Sequence, residues 1–148
     1  MKWLLDTNVI SDSVRDRPHP AVSRWIADIS REDAAISIVT YAELWDGATS
    51  AVDDIKRQRL TEWVEVEIRQ GFHDRTLPLT DDILVDWLRL SRKLSARRIT
   101  RDASDLLIAS TARMHDLTLV TRNVRDFAGT GVLVYDPWTG ETHKMERP

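Results

Sequence analysis

The chain has 148 residues, 42% of them hydrophobic and 30% charged, and its 21 Lys and Arg against 24 Asp and Glu give a net charge of −3. This length and balance predict a single globular domain over residues 1–148, and they argue against a disordered chain and against a polycation that coats nucleic acid. The chain has no cysteine, which excludes disulfides, thiolate metal sites and cysteine nucleophiles and fits a reducing cytoplasm.

Short apolar runs alternate with helical patterns along the chain. Buried strands are predicted at 2–5, 34–39, 117–121 and 132–135, with a weaker edge strand at 76–79. Helices are predicted between them, at 21–29, 40–48, 52–70, 81–94 and 102–113. The polar tail after about residue 138 is expected to be flexible. This alternation is typical of an α/β domain with a mostly parallel sheet.

Acidic side chains follow several of the predicted strands. Asp6 comes directly after the first strand, Glu43 lies shortly after the second, and Asp126 follows the strand at 117–121. Asp105 lies in the first turn of the helix that precedes that strand. Because sites in open α/β sheets form beyond the carboxyl ends of the strands, these four carboxylates are expected to meet at one edge of the sheet.

Such a cluster indicates a divalent cation. Neighbouring carboxylates raise one another's pKa unless a cation neutralises them. Mg²⁺ is the expected ion, because it takes hard oxygen ligands, keeps several waters and is completed by substrate phosphate. It would polarise a phosphodiester and activate a water. The four histidines form no Ser-His-Asp pattern, and the five scattered glycines form no phosphate-binding loop.

Each carboxylate also has a structural interpretation. Asp6 could cap the short helix expected to begin near residue 9. Thr40 and Glu43 match the capping-box pattern at the start of a helix. Asp105 could stabilise its helix through the dipole, and Asp126 could serve a turn. The spacings alone leave both interpretations open.

Cationic residues are concentrated in one segment, between positions 89 and 101, with no acidic residue among them: Arg89, Arg92, Lys93, Arg97, Arg98 and Arg101. They could form a basic rim that guides a polyanion toward the site, or they could complement the dipole at the end of a helix. Arg122 and Arg125 are better placed for substrate, because they flank Asn123 at the predicted edge.

Four segments resemble the motifs of PIN-domain ribonucleases of the VapC toxin family. They are LLDTNVIS at 4–11, SIVTYAEL at 37–44, DLLIASTA at 105–112 and LVTRNVRDF at 119–127. The ending VYDPW at 134–138 is similar to the FitB-like branch. The resemblance covers nearly the whole chain. It implies a parallel sheet with helices on both faces and Mg²⁺- or Mn²⁺-dependent endonucleolytic cleavage of RNA, as the toxin of a type II toxin–antitoxin system.

The same resemblance implies roles for individual residues. It makes Asp6 and Asp105 the principal metal ligands, and Glu43 a carboxylate that acts mainly through metal-bound water or beside the ligands. The fourth acidic position of the family falls on Asn123, which carries no charge, so a second metal is not implied. Asp126 is the candidate to take that place.

The resemblance further implies supporting contacts and partners. Thr7 and Thr121 would support the carboxylates by hydrogen bonds, and Arg122 and Arg125 would bind substrate. A VapB-like antitoxin would bind operator DNA with one end and block the acidic groove with the other. A homodimer is expected. No membrane association is expected, because no apolar run approaches the roughly 20 residues of a membrane-spanning helix.

Two other functions fit parts of the same pattern. An aspartyl-nucleophile phosphatase also has an Asp after a strand, but it needs a second Asp two residues on, where this chain has Asn8. A PIN-fold module that binds nucleic acid or a partner without catalysis is supported by the missing charge at Asn123.

Overall fold

A computed structural model describes residues 1–147 and has one central sheet of six strands. The strands are β1 Trp3–Leu5, β2 Ala34–Ser37, β3 Thr76–Leu77, β4 Thr118–Val120, β5 Leu133–Asp136 and β6 Glu141–Lys144. Their order across the sheet is β3-β2-β1-β4-β5-β6, and every neighbouring pair is parallel except β5 with β6. The predicted α/β fold with a mostly parallel sheet is confirmed.

Helices connect the strands. They are α1 Thr7–Asp12, α2 Pro20–Asp28, α3 Ile38–Thr49, α4 Asp54–Glu62, α5 Arg69–Gly71, α6 Asp81–Ala96 and α7 Ala103–Met114. A π-helical segment, Trp63–Ile68, joins α4 to α5, and short 3-10 turns cover Arg31–Asp33 and Val124–Phe127. In the part of the chain that is described, no helix combines the length and the apolar character needed to cross a bilayer.

The two faces of the sheet carry separate apolar cores. Successive side chains of a strand point to opposite faces, so Leu4 and Leu5 enter different cores. Leu4 packs with residues of α6 and α7, including the fully buried Ile108. Leu5 packs with residues of α1, α2 and α3, including the fully buried Val9. Helices therefore cover both faces, as a parallel sheet requires.

The strand order creates a switch point beside β1. The chain continues from β1 to β2 and β3 on one side of it, whereas β4 and β5 lie on the other side. Leu5 is in register with Val120, so β1 and β4 end level with each other. Because the connections leave a switch point in opposite directions, a crevice opens at the carboxyl ends of these two strands. Asp6 and Thr121 are the next residues after those ends.

The predicted boundary of the second strand is wrong. Strand β2 ends at Ser37, and Ile38 and Val39 belong to α3. The hydroxyl of Ser37 accepts a hydrogen bond from the Val39 N–H at 3.1 Å and caps the helix. Ile38 is 39% exposed, so its apolar, β-branched character does not reflect a place in the sheet.

The end of the chain also departs from expectation. The polar composition after residue 138 predicts a flexible tail, but Glu141–Lys144 form β6 and pair antiparallel with β5 from Leu133 to Asp136. An exposed edge strand needs no apolar alternation, because few of its side chains are buried. For that reason its composition gave no indication of a strand.

Candidate active site at the carboxyl end of the sheet

Asp6 is the junction between β1 and α1. Its backbone N–H donates to the carbonyl of Val120 at 3.0 Å, which holds it against the end of β4. Its Oδ1 accepts a hydrogen bond from the Thr7 N–H at 2.8 Å, so the helix begins at Thr7 rather than near residue 9. The capping interpretation is correct for this oxygen. The buried side chain has a second oxygen, Oδ2, which points into a polar network.

That network joins β1 to β4 through side chains. Asp6 Oδ2 accepts hydrogen bonds from Thr121 Oγ1 at 2.7 Å and from Asn8 Nδ2 at 3.2 Å. Asn8 Nδ2 also donates to Thr121 Oγ1 at 3.0 Å, and Asn8 Oδ1 accepts from the Arg122 N–H at 3.2 Å. The Asn123 N–H donates to Thr121 Oγ1 at 3.0 Å. These bonds fix the orientation of the Asp6 carboxylate.

Asn8 was not among the predicted site residues. It bonds Asp6, Thr121 and the backbone of Arg122, so it connects three segments that the sequence keeps far apart. The sequence indicates its participation in the site only by its position two residues after Asp6, in the first turn of a helix. From the sequence alone, Asn8 argues only against an aspartyl-nucleophile phosphatase, which needs Asp at this position.

Glu43 reaches the same site from α3. Thr7 Oγ1 donates a hydrogen bond to Glu43 Oε2, which ties α3 to the first turn of α1. Because α3 begins at Ile38 with Ser37 as its cap, Glu43 lies in the second turn of the helix. The capping-box interpretation of Thr40 and Glu43 is therefore wrong, and the half-buried carboxylate of Glu43 is available to the site.

Asp105 is on α7, the helix that packs on the core containing Leu4. It lies in the first turn of α7, where it is half-buried beside the buried Leu106. Burial, together with the smaller effects of the charges of Asp6, Asp126, Asp102 and Glu43, raises its pKa to about 7. Its charged form is therefore costly when no cation is nearby. Residues from β1, α3, α7 and the turn after β4 thus act on one carboxyl group.

The pKa of Asp6 is also raised by burial and by neighbouring negative charges. Burial raises its pKa, the hydrogen bonds from Thr121 and Thr7 lower it, and the charges of Glu43 and Asp126 raise it again, with a net upward shift. The charges of Glu43 and Asp126 thus raise the pKa of both Asp6 and Asp105. Asp102 adds to this repulsion, although its position suggested only the start of a helix.

The other predicted residues lie around this cluster. Asn123 and Arg125 are exposed at the 3-10 turn after β4, and Asp126 is exposed in the same turn. The guanidinium of Arg122 lies over the Trp138 ring, 5.6 Å from its centroid. Such stacking fixes the cation against Trp138, while the backbone N–H of Arg122 is bonded to Asn8 Oδ1.

The basic segment at 89–101 is divided between two environments. Arg101 donates to the carbonyls of Thr100 and Ala128, at 3.2 and 3.4 Å, and so joins the start of α7 to the loop after Phe127. Over residues 1–147, the side chains of the other five cations make no hydrogen bond or ion pair. Arg89 and Arg92 are exposed on α6, a helix that contributes no carboxylate to the cluster.

The donor set fits a hard divalent cation. Among the described residues, no three acidic or histidine side chains converge closely enough to enclose a metal by themselves. Mg²⁺ needs only one or two carboxylates, because waters and substrate phosphate fill its other positions. Asp6 and Asp105 supply two carboxylates whose charged forms are only incompletely compensated within the protein, because the pKa of each is raised. A cation placed between them would remove that penalty.

Comparison with known proteins relates this geometry to a family. Residues 3–133 match the PIN domain family. Toxin FitB of Neisseria gonorrhoeae is 33% identical over 135 residues, which are 91% of this chain and 97% of FitB. VapC ribonuclease Y4jK of Sinorhizobium fredii is 29% identical over 135 residues, 91% of this chain and 96% of that protein. A structure of FitAB bound to an IR36 DNA fragment matches with a TM-score of 0.87 at 32% identity, covering 95% of this chain and 99% of that chain.

Proposed function

The chain belongs to the PIN domain family and to its branch of FitB and VapC toxins, and we propose that it cleaves RNA phosphodiester bonds with the help of Mg²⁺. One observation carries this proposal. The charge of Asp6 raises the pKa of Asp105, which is 99 positions away in the sequence, and this supports one anionic site that contains both carboxylates. A protein gains nothing in stability from such a cluster, so it indicates a functional site.

Each side chain of the site receives a role from its contacts. Asp6 and Asp105 would hold the cation, which when bound offsets charge on the scissile phosphate and acidifies an attacking water. Thr121 and Asn8 hold Asp6 Oδ2 in place, so this oxygen is oriented before the substrate arrives. Thr7 orients Glu43, which would accept a proton from a water at the edge of the site.

We assign the fourth acidic position to Asp126 rather than Asn123. The charge of Asp126 raises the pKa of both Asp6 and Asp105. Asn123 contributes its backbone N–H to Thr121, and its amide side chain carries no charge. We therefore expect Asp126→Asn to slow cleavage more than Asn123→Ala.

Asp105→Asn tests the function directly. It removes one ligand charge at nearly constant volume, so we expect cleavage of single-stranded RNA to fall by at least about 100-fold, a loss of the size seen when one electrostatic catalytic contact is removed. Asp82→Asn is the matched control, because Asp82 also lies in the first turn of a long helix, α6, but is exposed away from the cluster. It should retain wild-type cleavage.

The outcomes separate the alternatives. Equal cleavage by the wild type and Asp105→Asn would contradict the proposed function, since the carboxylate would then be no more than a helix-dipole residue. Failure of the wild type to cleave RNA, together with binding of a partner protein, would favour the non-catalytic module. A phosphorylated Asp6 trapped during turnover would favour the phosphatase.

We also propose an antitoxin partner. The similar structures include FitAB bound to DNA, FitAcB from Neisseria gonorrhoeae and a toxin–antitoxin complex from Klebsiella pneumoniae that is 25% identical to this chain. By analogy, a VapB-like protein would cover the acidic groove and bind operator DNA. Co-expression of the reading frame next to this one should suppress RNA cleavage, and sedimentation of the purified toxin should detect the expected homodimer.

A further inference from the structure

Helix α4 carries two cations, Lys56 and Arg59, that core packing does not explain. It has no buried residue, and Ile55 on its surface is 81% exposed. Yet Lys56, Arg59 and Leu60, together with Trp63 just beyond the helix, face one cleft. These positions are three, four and seven residues apart, so they form a single stripe along the helix. The first two residues of the stripe are cationic and the last two are apolar.

The opposite wall of this cleft belongs to the site. Thr7 and Glu43 line it together with Ser11 and Val14, so the cleft opens at the hydrogen bond that orients the Glu43 carboxylate. Its volume is about 430 Å³. Binding clefts for small molecules occupy roughly 300–1,000 Å³, so this space admits one or two nucleotide units rather than a folded partner.

The charges in the cleft favour a polyanion beside the carboxylates. Its cations are Arg15, Lys56 and Arg59, and its anions are Asp16 and Glu43. Arg15 lies 3.8 Å from Asp12, whereas Lys56 and Arg59 form no ion pair within the described part of the chain. In a chain of net charge −3, two free cations facing the same cleft as a catalytic carboxylate are unexpected for structural reasons alone.

The excess of cations on α4 is limited to the part of the helix that faces Glu43. The neighbouring cleft shares Arg59 and Trp63 but adds Glu62 and Glu67, so anionic side chains outnumber cationic ones there. A phosphate chain is attracted to the part of α4 next to Glu43 and repelled from the part beyond Trp63. The attraction is therefore local, and it is continuous with the carboxylate site.

We propose that this α4 cleft binds the RNA strand next to the bond that is cut, with Lys56 and Arg59 contacting successive phosphates and Trp63 stacking on a base. The proposal rests on the proposed function and names the subsite of its substrate. Single-stranded RNA is the form that fits, because aromatic stacking needs an unpaired base and the cleft is too small for a duplex.

Binding of a fluorescent 12-nucleotide single-stranded RNA, measured by anisotropy against salt concentration, tests the subsite. All proteins carry Asp105→Asn, so that the RNA stays intact. Two phosphate contacts on single-stranded nucleic acid contribute a slope of about −1.4 to log K against log salt. Lys56→Ala with Arg59→Ala should reduce the slope by about 1.4, which weakens binding about 25-fold at ~0.1 M salt relative to the 1 M limit.

Arg24→Ala with Lys144→Ala is the control, because it removes the same number of positive charges at exposed positions of α2 and β6 that do not line the cleft. It should leave the slope unchanged. Trp63→Leu should weaken binding about five- to 160-fold, whereas Trp63→Phe should retain most of the affinity. Melting temperatures of the variants at Trp63 show whether the fold is kept, since this side chain also packs on the core.

Three results would overturn the subsite. The slope could stay at the value of the Asp105→Asn parent in the Lys56 and Arg59 variant, or it could fall equally in the control variant. Alternatively, RNA affinity could persist while inhibition by the antitoxin is lost, which would assign the cleft to the protein partner. The proposed function has a separate test, because cleavage by the otherwise unmodified chain either occurs or does not.

Discussion

The acidic site at the carboxyl end of the sheet and the apolar cores beneath it are built from residues that are adjacent in the sequence. The apolar residues stabilise the folded state, whereas the charged forms of the acidic residues destabilise it. Three carboxylates of the site stand next to a buried apolar side chain in the sequence: Leu5 and Asp6, Asp105 and Leu106, Phe127 and Asp126. The apolar member of each pair gains stability from burial. Asp6 and Asp105 have raised pKa values, so their charged forms lower stability.

This difference shows how the molecule holds repelling charges together. The carboxylates do not attract one another, so their positions must come from the packing of the residues beside them. Hydrogen bonds from Thr121, Asn8 and Thr7 then set the orientation of the side chains. Stability lost at the site is the consequence of gathering charge for a cation and a phosphate.

Phe127 and Asp126 give the largest expected contrast. Phe127 is fully buried in the core that contains Leu4 and Ile108, and Phe127→Ala should lower the free energy of unfolding by about 3–5 kcal/mol. Asp126→Asn, one residue earlier and exposed, should change it by less than about 0.5 kcal/mol. Urea denaturation measures both. Similar losses for the two variants would remove the distinction between core and site.

Ser37 and Glu43 give a smaller contrast within one helix. Ser37→Ala removes the cap of α3 and should cost about 1 kcal/mol of unfolding free energy. Glu43→Gln should leave stability nearly unchanged and reduce RNA cleavage instead, because Glu43 lies beyond the first turn. Thermal melting and cleavage rates of the pair decide this. A destabilised Glu43→Gln with full activity would restore the structural interpretation of Glu43.

The smallest expected effect is a pH dependence of stability. The pKa of Asp105 is about 7 in the folded protein and ~3.9 for an unperturbed Asp, so the folded state holds its proton over this interval while the unfolded state does not. Stability due to Asp105 therefore falls as pH rises from about 4 to 7. Screening of this half-buried group keeps the effect small.

Metal-free calorimetry from pH 4 to 8 checks that sign. The melting temperature of Asp105→Asn should fall less steeply with pH than that of the wild type, and Mg²⁺ should stabilise the wild type more at pH 8. Identical pH profiles for both proteins would mean that Asp105 is not held in a repelling cluster.

The fold was predictable because buried strands appear in the sequence as short apolar runs, and amphipathic helices appear as apolar residues at helical spacing. The errors occur where burial gives no such pattern. Ile38 and Val39 look like strand residues but follow a serine that caps a helix, and β6 is a polar edge. In the same way, Ile55 fits an apolar period within the helix predicted at 52–70 and is exposed.

The sequence marks the carboxylates of the candidate site more clearly than it marks the residues around them. Asp6 and Asp105 stand out because strand ends and family motifs mark them. Asn8 contributes through a contact with Thr121 that only the folded chain creates, 113 residues apart. The role of Lys56 and Arg59 also depends on the fold, because it is the cleft that places them near Glu43.

The central claim is that Asp6 and Asp105 belong to one anionic site, and the pKa of Asp105 measured by carbon NMR tests it most directly. In the metal-free wild type this pKa should be about 7. It should fall in Asp6→Asn, where a repelling charge is lost, and also when Mg²⁺ is added to the wild type. A pKa of Asp105 that neither Asp6→Asn nor Mg²⁺ changes would contradict the account.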